Sequence, residues 1–132
     1  MILSFSNIGF EHRIKNGIKT TTIREDAFDR WKPGRTIHFW FRNPRNILAS
    51  PPPRQFGTGQ CVRVDKIEII HIPEVYLPLI IVNGLELSQG AIASLAYEDG
   101  FATLEDFLLW FDKDFSGKII HFDFDQVLIP TS

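Results

Sequence analysis

Apolar and polar residues alternate from Thr36 to Phe41, with Ile37, Phe39 and Phe41 on one face and Thr36, His38 and Trp40 on the other. Period-two alternation predicts a strand with two occupied faces. Ile2 to Phe5 reads as a short apolar strand, and Ile8 to Asn16 as a short helix stopped by Gly17 in a left-handed conformation. Thr20 to Arg24 is rich in β-branched residues and is expected as a strand. Trp31 to Arg35 (WKPGR) is a turn, because Pro33 presets φ and Gly34 tolerates a positive one. Gln60 to Ile72 returns to strand, but Val62 and Val64 share one parity while Ile67 and Ile69 share the other, which predicts a β-bulge near Asp65 and Lys66. Val75 to Val82 is another apolar run, and Asn83-Gly84 is a two-residue hairpin signal leading into Leu85 to Leu87.

Ser88 can cap a helix running to about Tyr97. Thr103 and Asp106 form a capping-box-like pair for a third helix, with Leu104, Phe107, Leu108 and Phe111 on one face and an end near Phe115 to Gly117. Trp110 is assigned to the core. The last strand, Lys118 to Phe124, points Ile120, Phe122 and Phe124 inward and His121 and Asp123 outward. Residues 42–58 hold four of the eight prolines and show no periodicity, so a long Pro/Arg-rich loop is expected there. About six strands and three short helices, with no βαβ rhythm and no internal repeat, define a mixed α+β domain on a curved or closed sheet.

Composition narrows this picture. The 132 residues fit a single domain over 1–132, and 44% hydrophobic residues with 12 Phe and 3 Trp mark a folded core rather than disorder. No apolar run approaches the ~20 residues that span a bilayer, and no secretory leader pattern is present. The single cysteine, Cys61, can form no internal disulfide, so a cytoplasmic location is expected. Charge is divided along the chain. Residues 30–64 carry Arg30, Lys32, Arg35, Arg42, Arg45, Arg54 and Arg63 with no acid, whereas residues 65–132 carry three lysines against twelve carboxylates. An Arg-dominated basic segment suits bidentate contact with phosphates or carboxylates; its plainer role is a solvated face paired with the acidic half.

The runs FEHRIKNGIKTTTIR, KPGRTI, YEDGF and DFLLWF...GKIIHFDF, in that order, resemble the ASCH domain, a relative of the PUA domain. The most specific part is a helix, then G-x-K-T-x-T-x-R, then K-P-G. The resemblance implies a PUA-like β-barrel with flanking helices, a cleft beside the motif and an association with RNA. It also implies a second possibility, because some small ASCH proteins are amidohydrolases that remove the acetyl group from N4-acetylcytidine with a Lys, a Thr and a distant Glu. By motif position these are Lys19 and Thr22. Glu98 and Asp99 both lie in the region of the third member, and Glu98 is favoured by residue type.

A Lys beside apolar walls and Arg24 would lose its proton more readily, and could activate a Thr hydroxyl against an amide carbonyl while a carboxylic acid protonates the leaving amine. An offset of three places Lys19 and Thr22 on opposite faces of a regular strand, so a shared site requires a bend or bulge near Thr20, or Lys19 in the turn after Gly17. Without such a site the segment is an ordinary edge strand.

Three functions follow as expectations. The first is binding of RNA or a modified pyrimidine nucleoside, with Lys19 and Arg24 on phosphate or base edge, Arg42, Arg45 and Arg54 on the backbone, and Trp40, with Trp31 and Phe56, available to stack bases. For Trp40 a core position is equally expected. The second is amide hydrolysis of N4-acylcytidine by Lys19, Thr22 and Glu98. The third is partner docking through the Pro-rich SPPPR segment. His12, His38, His71 and His121 have no metal-site spacing, so no metal and no cofactor is expected. His121, Asp123 and Asp125 read as an acidic solvent face, and Cys61 as inert packing.

Overall fold

The computed structural model describes residues 1–127, with side chains described to Asp125. Seven strands and three helices follow in the order β1 (Ile2–Phe5), α1 (Ile8–Lys15), β2 (Thr21–Arg24), β3 (Thr36–Phe41), β4 (Arg54–Ile70), β5 (Leu79–Val82), β6 (Leu85–Glu86), α2 (Gln89–Glu98), α3 (Leu104–Trp110) and β7 (Phe115–Val127). The expected α+β class holds. All strands belong to one mixed sheet, in which only the β1–β3 ladder is parallel.

The long β4 organises the sheet. One of its edges pairs with β7 along most of its length; the other takes β3 in its first half and the β5–β6 hairpin in its second. The continuous path is therefore β2-β7-β4-β3-β1, and it ends at β2 and β1 without joining them by a backbone ladder. A fully closed barrel is not formed. Arg24 crosses the open seam instead, its Nη2 donating to the Ser4 carbonyl at 2.9 Å.

Several boundaries differ from the sequence reading, each for a physical reason. The 42–58 loop is shorter, because Arg54 and Gln55 already pair with Phe41 and Trp40 once the proline run has ended at Pro53. The bulge lies at Val62 rather than at Asp65 and Lys66: Cys61 faces Phe122 and Arg63 faces His121, so Val62 has no partner on β7 and is 47% exposed. From Arg63 to Ile69 the ladder is continuous, so Val64 and Ile67 lie on opposite faces of the sheet, each packed against apolar neighbours. Val75 and Tyr76 are exposed and precede β5, so the 75–82 run supplies only four ladder residues. Helix α3 stops at Trp110, since Phe111 leaves helical geometry with ψ 61° and Phe115 opens β7. Trp110 is 58% exposed, which corrects its assignment to the core. At Asn83-Gly84 both φ values are positive, 51° and 82°, as the hairpin signal requires.

The core is aromatic. Inside the curved sheet Phe39 packs against Phe122, Phe124 and Phe56 with ring centroids 4.9, 5.3 and 6.0 Å away. Trp31 and Phe56 are buried in this core, so neither is available for base stacking, while Trp40 is half-buried on the opposite face of β3. A second row, Phe10, Phe101, Phe107, Phe111 and Phe115, links α1 and α3 to the sheet and runs toward the β1–β2 seam. Among the described residues no helix is long and apolar enough to cross a membrane.

Candidate functional site

The helix before the motif delivers Lys19 into the interior. Asn7 caps α1 by accepting from the Gly9 amide at 2.8 Å, and the helix ends where Gly17 adopts φ +72°. The amides of Ile18 and Lys19 both return to the Arg13 carbonyl, at 2.8 and 3.0 Å, closing a left-handed cap that only a glycine adopts without strain. Thr20 is then held between α2 and β7: its amide donates to Glu98 O at 2.8 Å and its carbonyl accepts from Phe122 at 3.1 Å. The β2 ladder starts only at Thr21. Lys19 thus lies outside the regular strand, and strand parity does not separate it from Thr22; both face one cavity.

Lys19 is 2% exposed, and its Nζ donates to the carbonyls of Thr21 at 2.7 Å and Asp99 at 2.5 Å. The Asp99 carboxylate lies 3.6 Å from Nζ and accepts from the Thr21 hydroxyl at 3.0 Å. The rings of Phe10 and Phe5 flank the ammonium at 4.7 and 5.6 Å. Burial is the largest influence on both charges. It lowers the Lys19 pKa to about 8, opposed by Asp99 and helped by Arg24. It raises Asp99 to about 6, opposed by Lys19, Thr21 and Arg24. Two carbonyls match the two N–H donors of a neutral amine, so deprotonated Lys19 keeps both hydrogen bonds and gains a free lone pair.

Arg24 completes the polar wall. Its Nε donates to the Thr22 hydroxyl oxygen at 3.2 Å, Nη2 holds Ser4 O, and the guanidinium carbon lies 5.0 Å from the Phe5 ring centre. Burial also lowers the Arg24 pKa, with Asp99 opposing. Among the described residues Arg24 Nη1 and Asp99 Oδ2 have no hydrogen-bond partner, and both side chains line the cavity. The cavity measures about 340 Å³ and is lined by the rings of Phe10, Phe101, Trp110, Phe111 and Phe115 together with Lys19, Thr22, Arg24 and Asp99. Gly100 keeps this arrangement compact: at φ +93° it is a glycine position, and an added Cβ would meet Lys19 Cδ at 2.8 Å.

The structure gathers Lys19, Thr22 and Arg24 and leaves Glu98 out. Glu98 is exposed at the end of α2 and reaches the motif only through its backbone carbonyl, while its neighbour Asp99 enters the cavity. Lys19 and Thr22 share no direct hydrogen bond. The predicted backbone-binding arginines separate. Arg54 is held by Glu11 through bonds of 2.7 and 3.2 Å, Arg45 is exposed, and Arg42 is half-buried with φ +65°. Sequence reasoning missed Thr21, Ser4 and the Phe10, Phe101 and Trp110 wall. The spacing of three between Leu104 and Phe107 and between Phe107 and Trp110 was the available signal for the last.

Elsewhere, His121 Nε2 lies 2.8 Å from Asp65 Oδ2, which also accepts from Arg63 Nε, while Asp65 Oδ1 accepts from the Asn83 amide. Among the described residues no group of three or more His, Cys, Asp or Glu is placed to hold a metal ion. Cys61 is buried, and burial pushes its thiol pKa up. No family model, curated protein or solved structure matches this chain.

Proposed function

We propose that the protein is a PUA-like ASCH domain that binds a modified pyrimidine nucleoside, free or within RNA, in the Lys19–Asp99 cavity. The observation that carries this reading is a buried Lys–Asp pair opening onto an aromatic-walled cavity of about 340 Å³. Burying two charges without a ligand to recognise costs stability, so their retention in a cavity points to use. The aromatic side suits the face of a planar ring, with Trp110 the exposed member. Arg24 Nη1 and Asp99 Oδ2 offer one donor and one acceptor, the complement of a ring edge carrying a carbonyl and an N–H. The motif resemblance favours pyrimidine among such rings.

Titration of Trp fluorescence with cytidine and N4-acetylcytidine tests it. Saturable quenching that is absent in Trp110→Phe and weakened at least tenfold in Asp99→Asn is expected. No response to either nucleoside at millimolar concentration would overturn the reading.

A second reading, amide hydrolysis, is favoured by one specific observation: the site's base and acid are both moved toward neutrality, to about 8 and about 6. Neutral Lys19 would take the Thr22 proton as Oγ1 attacks the acyl carbon and the electron pair of the C=O bond moves to the acyl oxygen, while the Arg24 Nε bond would orient Oγ1 for the attack. The C–N bond then breaks as the ring nitrogen substituent leaves as an amine with that proton, and water releases the acyl group from Thr22. Asp99 replaces Glu98 as the carboxylate in this scheme. Incubation with N4-acetylcytidine should yield cytidine and acetate, and turnover surviving both Lys19→Ala and Thr22→Ala would exclude these roles.

A further inference from the structure

A second cavity of about 420 Å³ adjoins the first through Ser4, Phe5 and Ser6, and is otherwise lined by Arg42, Asn43 and Asn46. Arg42 enters it in an unusual way. Its amide continues the β1–β3 pairing by donating to Phe5 O at 2.7 Å, yet its φ of +65° is one that non-glycine residues seldom adopt. This conformation lays the guanidinium 5.4 Å from the Phe41 ring centre. Arg42 Nε is then the one buried side-chain nitrogen or oxygen among the described residues that has no hydrogen-bond partner. An unsatisfied buried donor on a cation is costly unless an acceptor arrives.

The remaining lining is neutral and rich in donors. Asn43 Oδ1 is occupied by the Arg45 amide at 2.9 Å, which leaves its NH2 group unused. The Asn46 amide and the hydroxyls of Ser4 and Ser6 make no side-chain hydrogen bond among the described residues, and no carboxylate lines the cavity. The cavity on the other side of the aromatic wall differs, since a carboxylate, Asp106, lines it as well as Arg13. We propose that the Ser4–Ser6, Arg42, Asn43 and Asn46 cavity is a phosphate subsite, so that the ligand is a nucleoside phosphate rather than a free nucleoside. This rests on the pyrimidine reading of the adjoining cavity. The ring lies against the aromatic wall, and the sugar crosses Ser4 to Ser6. The phosphate then takes donors from the Arg42 guanidinium, which turns to offer its unpaired Nε, and from the asparagine amides, a charge-assisted set.

Affinities of N4-acetylcytidine, its 5′- and 3′-monophosphates and a dinucleotide containing it, measured by Trp fluorescence, test the subsite. At least one monophosphate or the dinucleotide should bind tenfold or more tighter than the nucleoside. That advantage should shrink to about twofold in Arg42→Asn, a residue that tolerates the positive φ, and in Asn46→Asp, which places a negative charge on the exposed rim; thermal unfolding checks that both fold. A mononucleotide advantage identifies a free nucleotide, and one confined to the dinucleotide identifies the phosphate of a strand; both support the subsite. If the nucleoside binds and phosphate adds nothing, or the advantage persists in both variants, the subsite is refuted while the nucleoside cavity stands. If no compound binds, both readings fall.

Discussion

Replacing Lys19 and Asp99 singly and together tests the buried pair. Moving Lys19 from 10.5 to about 8 disfavours its charged folded form by about 3 kcal/mol. The shift of Asp99 from 3.8 to about 6 disfavours its carboxylate by a similar amount, about 3 kcal/mol. Lys19→Met alone strands the carboxylate and removes the donor from the Thr21 and Asp99 carbonyls. Asp99→Asn alone leaves Lys19 facing Arg24 with its counter-charge gone. Each single change should cost about 3–5 kcal/mol, and the double variant should cost about 2 kcal/mol less than their sum.

The pH dependence carries a sign of its own. Folded Asp99 holds its proton to about pH 6, whereas the unfolded group releases it near 3.8, so this contribution to stability falls as pH rises between those values. Folded Lys19 loses its proton near 8 and the unfolded group near 10.5, so stability climbs across that window. Glu11, Asp26, Asp29 and Asp65 have lowered pKa values and act oppositely at the acid end. The informative quantity is therefore the difference between wild type and the double variant, from urea unfolding at pH 5, 7 and 9. Wild type should gain relative to the double variant on going from pH 7 to 9 and also from 7 to 5. Additive single costs, or a difference independent of pH, would refute the account of the pair.

Other consequences follow from the same geometry. Gly100→Ala should lower stability by about 1–3 kcal/mol and weaken nucleoside binding, because the new methyl displaces Lys19; thermal unfolding and fluorescence titration report the two effects. Gly59→Ala places a methyl against the Asp123 carbonyl and the Phe39 ring, and should cost stability without a selective effect on the ligand. If hydrolysis occurs, kcat/KM should rise nearly tenfold per pH unit below about 8 and level off above it, following Lys19 deprotonation. Cys61 should react with a thiol reagent at neutral pH only as fast as the protein opens, a rate that denaturant raises.

Much of this arrangement was legible in the chain. The alternation of Thr36–Phe41, the Gly17 stop and the Asn83-Gly84 hairpin are local signals, and local geometry satisfied them. Choosing between Glu98 and Asp99 was not a local matter. The two are adjacent at the end of α2, about 100° apart around a helix, and the direction in which α2 meets β2 decides which one is buried. Residue type favoured the longer acid, while packing selects the shorter one. Arg54 likewise belonged to a plausible basic stretch until Glu11, distant in sequence, took its guanidinium. Trp110 reads as core by composition and is exposed by its position at the end of a seven-residue helix.

A crystal structure of the protein soaked with N4-acetylcytidine tests the central claim most directly. The ring should lie in the Lys19–Asp99 cavity, against the Phe10, Phe101 and Trp110 side, with its polar edge within hydrogen-bond distance of Arg24 Nη1 and Asp99 Oδ2. Density for the nucleoside elsewhere, with this cavity holding only solvent at saturating ligand, would contradict it.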